Sequence, residues 1–130
     1  MNPEQDDQRY RINVSVQSEF LPSQSDEENN RWAFAYHVTL RNDGSQPAKL
    51  LTRHWVITDS EEHTQEVHGE GVVGEQPHLE PGQEYQYTSG AVLEARVGTM
   101  HGSYQMLAED GTCFDAEIPP FRLAPPYTVH

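Results

Sequence analysis

A chain of 130 residues is most simply one domain, long enough to bury a single core without staples. Its 21 acidic against 8 basic residues leave a formal charge of −13, which argues against nucleic acid, whose phosphates are held by concentrated Lys and Arg. The single cysteine, Cys113, excludes an internal disulfide, and no apolar run approaches the roughly twenty residues that span a bilayer, so no membrane insertion is expected.

The start, Met1-Asn2-Pro3-Glu4-Gln5-Asp6-Asp7, is acidic rather than basic and apolar, so no secretory signal is read there and the cytoplasm is the expected location. Residues 1–8 are read as a disordered acidic arm, 9–124 as one domain and 125–130 as a tail. Tyr10, Ile12, Val14 and Val16 alternate strictly with polar residues, which predicts a half-buried strand. Leu21 to Asn30 is polar, charged and without periodicity, and reads as a mobile loop. From Arg31 to Arg41 alternation resumes, with Trp32, Phe34, Tyr36, Val38 and Leu40 on one face as the main aromatic block of the core. Asn42-Asp43-Gly44-Ser45 makes a turn, and Ala48 to Thr58, apolar on both faces, reads as a central strand. His63 to Glu70 is extended but polar, as expected of a short edge strand.

Glu84 to Thr88 alternates again and is expected to stop at Ser89-Gly90, leaving Val92, Leu93 and Val97 as an irregular plug against the core. Met100, Gly102, Tyr104 and Met106 alternate with His101, Ser103 and Gln105. Asp110-Gly111 signals a hairpin into Phe114 to Ile118, which Pro119-Pro120 should end. Seven or eight short strands at regular spacing, without a convincing helix, predict an all-β, antiparallel sandwich of immunoglobulin or fibronectin type III kind. Trp55 falls where such sandwiches place a core tryptophan, and Gly102-Ser103-Tyr104 resembles a tyrosine corner. Met106 stands where an antibody domain has its second cysteine, so packing alone must hold the sheets.

The passage Gly69-Glu70-Gly71-Val72-Val73-Gly74 contains Gly-x-Gly-x-x-Gly. That fingerprint binds a pyrophosphate only when its glycines end a strand and open a helix. Here Pro77 and Pro81 forbid the helix, Glu70, Glu75 and Glu80 repel a phosphate, and no Lys or Arg lies between Arg53 and Arg96. The glycines instead suit a loop needing positive φ.

Arg53-His54-Trp55 with Thr58-Asp59, then Val67 and the run Gly69 to Pro77, Tyr87-Thr88-Ser89-Gly90, Gly98-Thr99-Met100 and Ile118-Pro119-Pro120-Phe121-Arg122-Leu123, together resemble the ApaG family. The likeness covers nearly all of the chain after the acidic N-terminus. It implies a fibronectin-type sandwich without established catalysis, in a bacterial stand-alone protein. The resemblance also implies a gene neighbourhood shared with a diadenosine tetraphosphate hydrolase and an association with cobalt tolerance and magnesium efflux. The same domain in some F-box proteins and in a polymerase-delta-interacting protein implies protein binding.

Among individual residues, Glu66, His68 and Glu70 would share one face of an extended strand with His63 near by, a set of oxygen and imidazole donors for a divalent cation. No spacing matches a known ligand motif, so a solvated acidic edge is the favoured reading. No resident cofactor is expected, and any Mg2+ or Co2+ binding should be weak. Cys113 lacks a local His and should point away from the core, Ser89 lacks an elbow sequence, and no enzyme is expected. The glycine loop, with Gly69, Glu70, Gly71, Gly74 and Glu75, is accordingly read as a surface presented to a protein partner. A divalent-cation site and a pyrophosphate or nucleotide site are the alternatives.

Overall fold

Strands with one apolar face must bury that face against another layer, and the alternating segments of this chain do so as two antiparallel sheets. The computed structural model describes residues 7–126; of the expected acidic arm at 1–8 and tail at 125–130, residues 1–6 and 127–130 lie outside the described residues. The strands are β1 (Ile12–Phe20), β2 (Trp32–Asn42), β3 (Ala48–Asp59), β4 (Thr64–Glu70), β5 (His78–Leu79), β6 (Glu84–Leu93), β7 (Gly98–Ala108) and β8 (Cys113–Leu123). One sheet has the order β1-β2-β6, and the other β4-β3-β7-β8. The short β5 pairs with Ala48 and Lys49 of β3. Since β7 occupies one side of β3 along its whole length, β4 and β5 share the other, with residues 71–77 between them.

The aromatic face expected on β2 is buried, and it meets Trp55 of β3. Trp55 is only 2% exposed and contacts rings from three other strands: Tyr36 at 5.3 Å, Phe121 at 5.9 Å and Tyr104 at 6.3 Å, all edge-on. Tyr104 is fully buried, but it is not a corner tyrosine bonded to upstream backbone. Its hydroxyl instead bonds that of Tyr87 on β6, which ties the two sheets together through the core. At the edge where β1 meets β8, Ser18 Oγ donates to the carbonyl of Arg122 at 2.7 Å.

Three further expectations are corrected. Residues 21–30 are not an unstructured loop: two 3-10 turns, Pro22–Gln24 and Glu27–Asn29, fold back on β2. Ser25 Oγ there donates to the Leu21 carbonyl and accepts the Ala33 amide, both at 2.8 Å. β6 does not stop at Ser89-Gly90, because its partner β2 continues: Gly90 lies opposite Ala35 and the ladder runs on to Leu93 opposite Trp32. Pro119-Pro120 does not end β8 either. β8 is an edge strand, and between the pairs Gly102↔Ile118 and Met100↔Phe121 it carries one extra residue, a bulge that accommodates prolines. The Asp110-Gly111 hairpin forms as expected, with Gly111 at φ 91°.

Trp55→Ala should cost about 3–5 kcal/mol in urea unfolding, since it removes the ring on which both sheets pack; a neutral result would contradict its central place. Burial also pushes the Tyr87 and Tyr104 phenols well above the usual range. A raised folded pKa favours the neutral form, so this contribution is complete below about pH 10 and is lost as pH rises beyond it. Stability should therefore decline above about pH 10, and the paired change Tyr87→Phe with Tyr104→Phe should flatten that decline.

Candidate functional site

The glycine loop is built from a defect in β3. Between Leu50↔Met106 and Thr52↔Gln105, β3 carries Leu51 as an extra residue, which frees its carbonyl from the β7 ladder. That oxygen accepts the Gly71 amide at 2.8 Å and Gln76 Nε2 at 2.9 Å, while the Leu50 amide donates to the Pro77 carbonyl at 2.9 Å. Both ends of the loop are thus pinned to the same bulge. Inside it, Val72 and Glu75 exchange backbone hydrogen bonds of 2.7 and 2.9 Å around Val73-Gly74. Both central residues have positive φ, 48° for Val73 and 79° for Gly74, as a type I′ hairpin turn requires. Val72 is buried in the core, whereas Val73 is 63% exposed at the tip.

The Gly-x-Gly-x-x-Gly spacing therefore encodes a tight hairpin. Gly69 lies inside β4, where a Cβ would sit 2.5 Å from the Arg53 guanidinium carbon. Its missing side chain lets Arg53 cross β4 and donate from one Nη to the carbonyls of Glu70 at 3.0 Å and Gly71 at 2.8 Å. Gly71 has φ 62°, and a Cβ there would meet the Glu75 carbonyl oxygen at 2.3 Å. The amides of Gly71, Val72 and Glu75 and the guanidinium of Arg53 are already engaged by backbone carbonyls. Glu70 and Glu75 are exposed on either side. Arg53 was missed as part of this site because it is distant in sequence. Its signal was the cross-strand pairing of Arg53 with Gly69, legible only once β3 and β4 are in register.

The side chains that could hold a cation form a different group from the Glu66, His68 and Glu70 set. Those three do alternate outward along β4, with Val67 turned to the core. The ligand atoms that lie within 4.8 Å of one another, however, belong to His54, Glu66 and His68. His54 comes from β3, directly opposite His68, and their rings stack at 4.2 Å with 8° between planes. His54 Nε2 is buried and lies 3.4 Å from Glu66 Oε1 without a hydrogen-bond partner. Glu70 is not in this group, and His63 lies at the other end of the strand, its Nδ1 3.2 Å from Asp59 Oδ2. His54 had a sequence signal: it neighbours Trp55, so an inward Trp55 sends it outward. Cys113 is exposed, as alternation with Phe114 predicts.

A three-stranded sheet facing a five-stranded one, with a pinned hairpin beside an edge strand, defines a fibronectin type III-like β-sandwich. The chain belongs to the ApaG domain family, whose model matches residues 22–108. It is 60% identical over 124 residues to the Protein ApaG of Pseudomonas putida, covering 95% of this chain and 98% of that one. Similarity to the Protein ApaG of Aromatoleum aromaticum is 60% over 123 residues, with 95% and 97% covered. A crystal structure described as an ApaA protein from Bordetella pertussis superposes with a TM-score of 0.90 at 47% identity, covering 94% of this chain and 99% of that one.

The loop geometry ranks its glycines. Gly74→Ala meets no atom within 4 Å and should cost only the left-handed conformation, about 1 kcal/mol. Gly71→Ala adds a backbone collision and should cost clearly more, with urea midpoints falling in the order wild type, Gly74→Ala, Gly71→Ala. The reverse order would show that the hairpin is not held as described.

Proposed function

We propose that this protein is a non-catalytic interaction module, and that the Val73-Gly74 tip with the adjoining edge of β4 is what it presents to a protein partner. The observation that carries this reading is Val73. A β-branched residue at φ 48° is a conformational outlier, and leaving it 63% exposed adds an apolar surface with no folding benefit. Strain and exposure at one residue, on a loop pinned at both ends, are a combination that stability alone does not select. The flanking Glu70 and Glu75 favour a partner that brings an apolar residue between Lys or Arg side chains.

The free side of β4 supports the same reading, because an edge strand offers unpaired backbone groups to an incoming chain. Neither candidate nucleophile sits at a strand-to-helix elbow: Cys113 opens β8, and Ser89 lies within β6 opposite Tyr36. The pyrophosphate reading draws no support from a loop in which the Gly71, Val72 and Glu75 amides and Arg53 are held by backbone carbonyls and Glu70 and Glu75 are exposed on either side. In the cell, the module would act in the cytoplasm, and the cobalt tolerance and magnesium efflux implied by the family resemblance would come through its partner. No helix among the described residues is long and apolar enough to cross a membrane.

Val73→Gly tests this directly, because glycine accepts positive φ. Stability should be unchanged or raised by about 1 kcal/mol, while a protein captured by the wild type from bacterial lysate should be lost. Glu75→Lys, equally folded, should lose the same partner. Retention of every partner by both variants would overturn the proposal.

A further inference from the structure

We infer that His54, Glu66 and His68 form a binding site for a borderline divalent transition ion of the Zn2+ class, on the outer face of the sheet where β3 meets β4. Two imidazoles and one carboxylate are a donor set that such ions prefer and Mg2+ does not, since Mg2+ selects oxygen ligands in octahedral arrangement. The backbone fixes their spacing. His54 and His68 are a direct cross-strand pair, and Glu66 lies two residues from His68 on the same face of β4.

Bonds of about 2.0–2.1 Å to a tetrahedral ion place its donors about 3.4 Å apart. The three ligand atoms already lie within 4.8 Å of one another, and His54 Nε2 is 3.4 Å from Glu66 Oε1. His54 is the anchored member: its side chain is 29% exposed, and Nε2 is a buried nitrogen with no hydrogen-bond partner. A buried polar atom left in this state is destabilising, and an ion would relieve it. Glu66, with a side chain 59% exposed, and the exposed His68 are the members free to move. The parallel stack cannot aim both imidazole lone pairs at one point, so His68 must turn out of the stack on binding. Water would fill the remaining positions. Bound this way, the ion would tie the edge strand to its neighbour.

Titration of the full chain with ZnCl2, read by calorimetry and by the histidine ring resonances, tests the site. One equivalent should bind, with His54 and His68 as the perturbed rings and the aromatic stack broken. His68→Ala and the more conservative His54→Gln should each weaken binding about tenfold or more, and Glu66→Gln should also weaken it. Glu70→Gln, His63→Ala and His101→Ala should leave it unchanged, and excess Mg2+ should not displace the ion. Affinity should fall on acidification, because a protonated ring cannot ligate. The inference is overturned if His68→Ala binds Zn2+ as the wild type does, if Glu70→Gln costs as much as Glu66→Gln, or if Mg2+ competes. Those results would describe diffuse attraction to an acidic face. Because Val73 plays no part in this titration, the outcome is independent of the partner-capture experiment.

Discussion

The arrangement depends on Trp55 lying between the sheets. No disulfide braces this sandwich, so the layers stay together through the side-chain area they share, and Trp55 is where rings from β2, β7 and β8 converge. Its Nε1 is buried without a partner, a local cost that the surrounding aromatic contacts must outweigh. A strand's side chains alternate, so an inward Trp55 leaves no choice for its neighbours. His54 and Val56 face out, and Arg53 is carried inward with Trp55's face toward Gly69. One buried ring thus sets the aim of the histidine pair, and the same register brings Arg53 to the glycine loop.

Much of this was legible because period-two alternation is a local signal. The faces of β1, β2 and β7 and the Asp110-Gly111 turn follow from residues within a few positions of one another. Where the reading stopped short, the deciding partner was remote. Gly90 looks like a terminator until β2 is seen to continue opposite it, and Pro119-Pro120 looks like one until β8 is known to be an edge with a bulge. The site shows the same division. Glu66, His68 and Glu70 could be placed on one face of a strand from spacing alone. That His54 rather than Glu70 joins the first two needs the β3–β4 register, which sits between strands and not within either.

The glycine passage shows how a motif can be real and its usual meaning absent. Gly-x-Gly-x-x-Gly reports that backbone must come close to something and turn sharply; in a dinucleotide site that something is a pyrophosphate and a helix. In this chain the close approach at Gly69 is to the guanidinium of Arg53, and the sharp turn is the Val73-Gly74 hairpin. The bulge at Leu51 takes the place of the helix, because its freed carbonyl receives the loop's amide and amide side chain. The glycines are needed for the same stereochemical reasons in both cases, and only the neighbours differ.

The two ends of the four-stranded path are unequal in a way that limits growth of that sheet. β8, at one end, lacks two successive backbone donors at Pro119 and Pro120 and is bulged there, so it cannot template a continuous ladder. β4, at the other end, holds no proline and only seven residues. Head-to-tail growth of this sheet needs two compatible edges on every copy, and the β4-β3-β7-β8 path has one. Strand addition at β4 can therefore close a pair but cannot extend this sheet into a continuous ladder, so its seven-residue edge can stay open for recognition.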